Sequence, residues 1–464
     1  MSPAIRRAGL VLVCALTAAL YLAQLTAMGM VGPDEPRYAA VGRAMALSGD
    51  WITPRLWGHP WFEKPALLYW MTAAGFRIGL GPDLAPRLPV ALLGLGFLVF
   101  FWWRLRIEWD ARIASYATAM LATSAGWLTY SHVAVTDLPL AAFFAAAVLL
   151  SLPWIGRGDR TTLPASAACL GLATLAKGLV PLVLFAPMLV LGWRRLTDWL
   201  RPGTLLAFAV CALPWYILCT AVNGREFLNV FFIEHQLGRF SSAALQHVQP
   251  WWFYIPATLL LLYPWFPLIV LTKRADWNDS RTRVLIVTAV FGFVFFSASV
   301  NKLPSYVLPL LPVICILIAQ GLSRTSHPSR AVVAPMALLA MLPVISLVIP
   351  VALARGLRAA TIPWTEAGIA LAIGTAFALV LSSAVRKRAL TATFAIAGIG
   401  FMWFQIISFP ALDSAASARP LWLRERPSCI TKQPRAINYG LSYYAELELP
   451  ECSVLDQSNT RGVR

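Results

Sequence analysis

The feature that most constrains this chain is a series of about thirteen long apolar runs separated by short basic clusters. A helix crosses the hydrocarbon core of a bilayer with about 20 apolar residues. The runs at 8–30, 88–104, 112–129, 138–154, 162–177, 178–193, 204–222, 252–272, 283–300, 306–322, 331–353, 363–384 and 390–410 approach or reach that length. Of the 464 residues 59% are hydrophobic and only 13% charged, whereas soluble domains carry about one quarter charged residues. The chain therefore reads as an all-α polytopic membrane protein.

The basic clusters give the orientation. Arg6-Arg7, Arg104/Arg106/Arg112, Arg157/Arg160, Arg194/Arg195/Arg201, Lys273/Arg274/Arg281/Arg283, Arg324/Arg330 and Arg386-Lys387-Arg388 all fall between apolar runs. If the first span starts in the cytoplasm, every one of these clusters lies inside, as the positive-inside rule requires. The short loop at 354–362, with Arg355 and Arg358, is the exception. The net charge of +17 thus belongs to membrane loops. No basic face with interleaved aromatics exists outside them, so nucleic acid is not an expected partner. Arg6-Arg7 followed by the run at 8–30 imitates a signal peptide, but the run is long and no small-x-small site closes it. It reads as an uncleaved first span.

An odd number of spans places residues from about 411 onward outside, as a short C-terminal tail to a transmembrane domain at 1–410. Two longer segments, 31–87 and 223–251, also lie outside. Both keep aromatic residues, Trp51, Trp57, Trp61, Phe62, Tyr69 and Trp70 in the first and Phe227, Phe231 and Phe232 in the second, and so read as structured. In the first, Asp34 suits a helix N-cap, Pro36 the first turn and Gly49 the C-terminal end. Tyr38, Val41 and Met45 form a stripe with Arg37 and Arg43 off it, the pattern of an amphipathic interfacial helix. Cys429 and Cys452 lie in the tail and can pair if it faces an oxidising compartment. The other five cysteines lie in apolar runs as packing residues, and no Cys/His spacing marks a structural zinc site.

On this orientation the cytoplasmic loops hold arginines and little else. The outer face holds Asp34, Glu35, Glu63, Lys64, Asp137, Lys177, His235, Arg239, Lys302 and Tyr306. Ionisable groups in and at the ends of spans are expensive and tend to be functional. Each also has a plain structural reading: a cap for Asp34, a surface ion pair for Glu63-Lys64, a loop end for Asp137, interface anchors for Lys177, Lys302 and Tyr306. Glu63 with His235 is a candidate pair of ligands for a divalent metal.

In order and spacing, Asp34-Glu35-Pro36-Arg37-Tyr38-Ala39, Glu63-Lys64-Pro65, Thr136-Asp137, Glu234-His235 with Arg239-Phe240, and Lys302-Leu303-Pro304-Ser305-Tyr306 resemble the aminoarabinose transferase (ArnT-like) family of GT-C glycosyltransferases. The resemblance spans roughly residues 5–320 and implies a GT-C helix bundle with external-loop helices. It implies transfer of a sugar, 4-amino-4-deoxy-L-arabinose or another, from a polyprenyl-phosphate carrier to an acceptor such as lipid A. The setting would be the periplasmic face of the bacterial inner membrane. By the same resemblance Asp34 and Asp137 are catalytic acids of the cavity, and Lys64, Arg239, Tyr306 and Lys177 face the carrier phosphate. Glu35, Arg37, Tyr38 and Lys302 are further cavity residues. Glu63 and His235 match positions associated with a metal ion, zinc or similar. Family members usually continue into a larger external domain after the last span, where this sequence has 411–464. That leaves the acceptor open: lipid A, a protein or another glycan. A lipid-linked sugar transporter is the alternative of another class, but no inverted repeat of the kind common in transporters is evident.

Overall fold

The computed structural model describes residues 3–237, 248–326, 328–384 and 389–452. The fold is almost wholly helical, and each of the thirteen apolar runs is helical over at least part of its length. Among the described residues seven helices are long and apolar enough to cross a membrane, or up to nine if each of two bent pairs is one span. The bent pairs are Trp251–Leu261 with Phe266–Arg274 and Pro328–Leu339 with Leu342–Arg355. Val11–Leu22, Leu163–Lys177 and Val180–Leu191 are shorter apolar helices. The run at 112–129 is broken into two, Ala111–Ala122 and Ala125–Ser131. The division at Lys177 is a real helix end, since Gly178 follows at φ 77°, a conformation that glycine adopts without steric cost. The chain is a multi-pass membrane protein built as a helix bundle.

The core centres on Asp137–Arg157, which is buried along nearly its whole length and packs against Leu163–Lys177 and Leu84–Glu108. Many large residues face lipid instead, among them Val99, Leu206, Ile217 and Val380. In a bilayer that exposure carries no penalty, because the surrounding tails are as apolar as the side chains.

The segment at 31–87 folds into the helix Asp34–Ser48, a two-residue hairpin pairing Arg55–Leu56 with His59–Pro60, and the helix Leu67–Arg77. The first of these helices differs from the sequence expectation in two ways. Asp34 is its first helical residue and makes no capping bond; its carboxylate is turned to Arg37 instead. Nor does the helix lie in the interface as an amphipathic cylinder. Glu35 to Arg43 are all buried, together with Met45 and Ala46, because protein covers both sides. One cover is Leu67–Arg77, which approaches so closely that a Cβ on Gly42 would stand 2.5 Å from Thr72 Cγ2. The other cover comes from the C-terminal region. The expected C-terminal turn does form, with Gly49 at φ 74° donating its N–H to the Met45 carbonyl.

Residues 411–452 are no loose tail. The helix Ala389–Ala416 carries Asp413, which accepts from Gly29 N at 2.7 Å. Arg419 then binds Asp413 and Asp83, both at 2.8 Å, and the Thr26 and Ala27 carbonyls. The tail helix Arg435–Ala445 lies on Asp34–Ser48. Cys429 and Cys452 form a disulfide, with Cα atoms 4.9 Å apart.

Candidate functional site

Asp34 and Glu35 are adjacent carboxylates with opposite environments. The Glu35 side chain is fully buried. Its oxygens take Arg87 Nε at 2.7 Å and Nη2 at 2.8 Å, and the backbone N–H groups of Val31 at 2.8 Å and Ala134 at 2.9 Å. Arg87 also donates to the Leu25, Met28 and Gly29 carbonyls. A carboxylate saturated in this way ties the first loop to the helix Leu84–Glu108 and to the connector at 132–136, and presents nothing to a cavity. Glu35 is therefore a structural residue rather than a cavity residue, and Arg87 is its missed partner.

The Asp34 side chain keeps 37% of its exposure and pairs with Arg37 Nη2. Arg37 Nη1 reaches Glu63 Oε2 at 3.1 Å, and Glu63 Oε1 holds Lys64 Nζ at 3.1 Å. Acid and base thus alternate in a chain, Asp34–Arg37–Glu63–Lys64. Burial works to lower the Arg37 pKa, but Glu63 and then Asp34 outweigh it and raise it. The guanidinium is charged at every accessible pH. Trp61 and Tyr439 place ring centroids 5.4 Å and 5.0 Å from its carbon.

Lys64 opens onto a cleft of about 690 Å³, open mouth included, lined also by Lys177, His235, Phe296, Asn301 and Tyr306. Lys177 ends one helix and Asp137 begins another, so the helix ends bring them together: Nζ to Oδ1 is 2.6 Å. The same ammonium stands 4.7 Å from the Tyr306 ring centroid. Tyr130, which the sequence did not single out, lies beside Ser305 and within electrostatic reach of both Asp137 and Asp34. Five expected residues from distant segments (Lys64, Lys177, His235, Tyr306 and, through its ion pair, Asp137) therefore share one cleft. The Asp34 chain leads into it at Lys64.

Other expectations land elsewhere. Lys302 is buried and donates to the Gln249 carbonyl at 3.0 Å and to the Ser299 carbonyl. It pins the connector at 248–250 to the end of Ser280–Ala298 and is a structural cation. Tyr38 is buried edge-on against Tyr69, with ring centroids 5.9 Å apart, so it supports the site from behind. Arg239 lies outside the described residues.

Glu63 and His235 do not make a ready metal site. Both Glu63 oxygens already meet cations. Among the described residues no group of three or more His, Cys, Asp and Glu could hold an ion. No chemistry is routed through a metal here.

Residues 8–227 match the family model described as dolichyl-phosphate-mannose-protein mannosyltransferase. The undecaprenyl phosphate-α-4-amino-4-deoxy-L-arabinose arabinosyl transferase 2 of Pseudomonas fluorescens is 33% identical over 322 residues, 65% of this chain and 54% of that protein. The corresponding transferase of Pseudomonas aeruginosa is 32% identical over 320 residues, 65% of this chain and 57% of that protein. The chain thus spans little more than half the length of these curated relatives. The crystal structure of ArnT from Cupriavidus metallidurans bound to undecaprenyl phosphate superposes with a TM-score of 0.76 at 25% identity, covering 97% of this chain and 87% of that one.

Proposed function

We propose, on the premise that this is an ArnT-like chain of the GT-C class, that it transfers a sugar from polyprenyl phosphate to an acceptor. The reaction would occur at the periplasmic face of the bacterial inner membrane. The observation that carries this reading is the alternating chain from Asp34 to Lys64, ending at a cleft that also holds Lys177, His235 and Tyr306. The Cys429–Cys452 disulfide supports the sidedness, because such bonds persist in oxidising compartments.

The polyprenyl phosphate is the leaving group. Charge builds on its oxygens as the bond to the sugar C1 breaks, and preorganised cations there lower the barrier. Lys64 and Lys177 supply that charge from the cleft, with Arg239 as a further phosphate ligand and the Tyr306 ring orienting Lys177. Asp137 sets the position of Lys177 through their ion pair. Asp34, half exposed, faces the acceptor: it takes the proton of a hydroxyl, or orients an already anionic lipid phosphate, as the acceptor oxygen bonds to C1. A single displacement of this kind inverts the anomeric centre. The donor sugar we favour is 4-amino-4-deoxy-L-arabinose, with lipid A as acceptor, following the named activity of the curated relatives.

A protein acceptor is the second reading, favoured by the family model's description. One experiment separates them. Purified protein receives a labelled polyprenyl-phosphate sugar and either lipid A or a peptide. Label moving to lipid A is the expected outcome, and label moving only to peptide establishes the second reading. Passage of the intact carrier across a bilayer with no transfer overturns both.

A further inference from the structure

Arg37 sits among three aromatic rings, and one of them comes from the far end of the sequence. Its guanidinium carbon is 5.9 Å from the Tyr38 centroid, 5.4 Å from Trp61 and 5.0 Å from Tyr439. Tyr38 and Trp61 belong to the same loop segment as Arg37, whereas Tyr439 stands on the tail helix. That helix is fixed firmly. Arg43 donates to the Tyr443 carbonyl at 2.9 Å and lies 4.2 Å from the Tyr443 ring centroid. Tyr443 Oη donates to Pro82 O at 2.6 Å and Tyr444 Oη to Asp83 Oδ1 at 2.7 Å. The helix also lies inside the loop closed by Cys429 and Cys452. A guanidinium is planar and is drawn to an aromatic face, so a fixed ring restricts its orientation.

We propose that Tyr439 is a positioning residue. Its ring holds the Arg37 guanidinium where it bridges Asp34 and Glu63, and the Cys429–Cys452 disulfide keeps that ring in place. Residues 419–452 are then part of the site. The inference rests on the reading of Asp34 as catalytic. Arg37 is the only described cation paired with Asp34, so freedom at Arg37 becomes freedom at Asp34. Small displacements of a reacting group cost large factors in rate.

The test compares wild type, Tyr439→Phe, Tyr439→Leu and the double variant Cys429→Ser/Cys452→Ser. Steady-state transfer is measured with labelled polyprenyl-phosphate sugar and lipid A. In parallel, mass spectrometry follows modification of Arg37 by phenylglyoxal without substrates. In Tyr439→Leu, kcat falls roughly tenfold while KM for the donor stays within about twofold, and Arg37 is modified several-fold faster. Tyr439→Phe keeps the ring and stays near wild type in both measurements. The double Cys variant moves in the direction of Tyr439→Leu. Equal losses in the Phe and Leu variants, unchanged kcat in Tyr439→Leu, or equal Arg37 protection in Leu variant and wild type each overturn the proposal. If the double Cys variant does not fold, the Phe and Leu pair still decides. A wild-type protein that transfers to no acceptor sinks the functional reading instead, and Arg37 protection then judges the positioning contact by itself.

Discussion

The helix Leu84–Glu108 has an arginine–carboxylate cluster at each end, and the two clusters are built to opposite plans. Its 25 residues separate them by about 37 Å at 1.5 Å per residue. Near its start, beside the Glu35–Arg87 pair, acid and base alternate from Asp34 to Lys64. At its last residue, one buried acid gathers three arginines, two of which also pair with acids of their own, Arg281 with Asp279 and Arg157 with Asp159. Glu108, whose side chain is fully buried, takes Arg104 at 2.6 Å, Arg281 at 3.4 Å and Arg157 at 3.5 Å. That acid has no face left for a ligand. Asp34 has one cationic partner and keeps 37% of its surface. Both clusters cost desolvation, and only the one that leaves charge accessible has anything to offer a substrate. Exposure of the acid, more than the number of ion pairs, separates chemistry from scaffolding.

The comparison can be broken by substitution at either end. Glu108→Gln leaves the buried Arg104 without its carboxylate, while Arg281 keeps Asp279 and Arg157 keeps Asp159. It should lower stability by about 3–5 kcal/mol, read as thermal unfolding in detergent, while transfer per folded molecule stays at the wild-type level. A fall in specific activity with no loss of stability would erase the distinction. Asp34→Asn should do the reverse, with kcat down about a thousandfold and an unfolding temperature close to wild type. Lys64→Ala should follow at about a hundredfold, with Lys64→Arg recovering part of it because charge is what the phosphate needs. Arg157→Ala is the smallest case. Its side chain is 51% exposed, and a surface arm of an ion pair contributes little, so neither transfer nor unfolding should change measurably. A clear loss of stability there would mean that Glu108 depends on all three arginines.

The spans were legible because hydropathy is a local signal: each apolar run reappears as helix over at least part of its length. Their lengths were less so, since proline and glycine break several runs into shorter or bent pieces. The site was legible where a motif kept its members together, as in Glu63-Lys64, or where two charged residues ended neighbouring spans, as Asp137 and Lys177 do. What could not be read were pairings set by the tertiary fold. Glu35 looked like Asp34 in the sequence, and only the arrival of Arg87 makes it scaffold. Lys302 looked like a cavity cation until the Gln249 and Ser299 carbonyls enclosed it. The loop helix showed a stripe of three apolar positions; the tail helix carries Ile437, Leu441 and Tyr444 at helical spacing, but nothing in that spacing named the loop helix as its partner. Nor did the arginines of the short loops announce that Glu108 would gather them.

The clasp between the first loop and residues 413–445 also has a consequence for how the protein is made. Chains emerge from the N-terminus and fold in that order, so the helix Asp34–Ser48 is synthesised long before its second cover exists. Until then Arg43 has no Tyr443 and Arg37 has no Tyr439. The intervening spans must be made before residues 413–445 can enclose the loop. Enclosure of the loop helix therefore waits on residues 413–445, and a polypeptide arrested ahead of them would hold that helix covered on one side only.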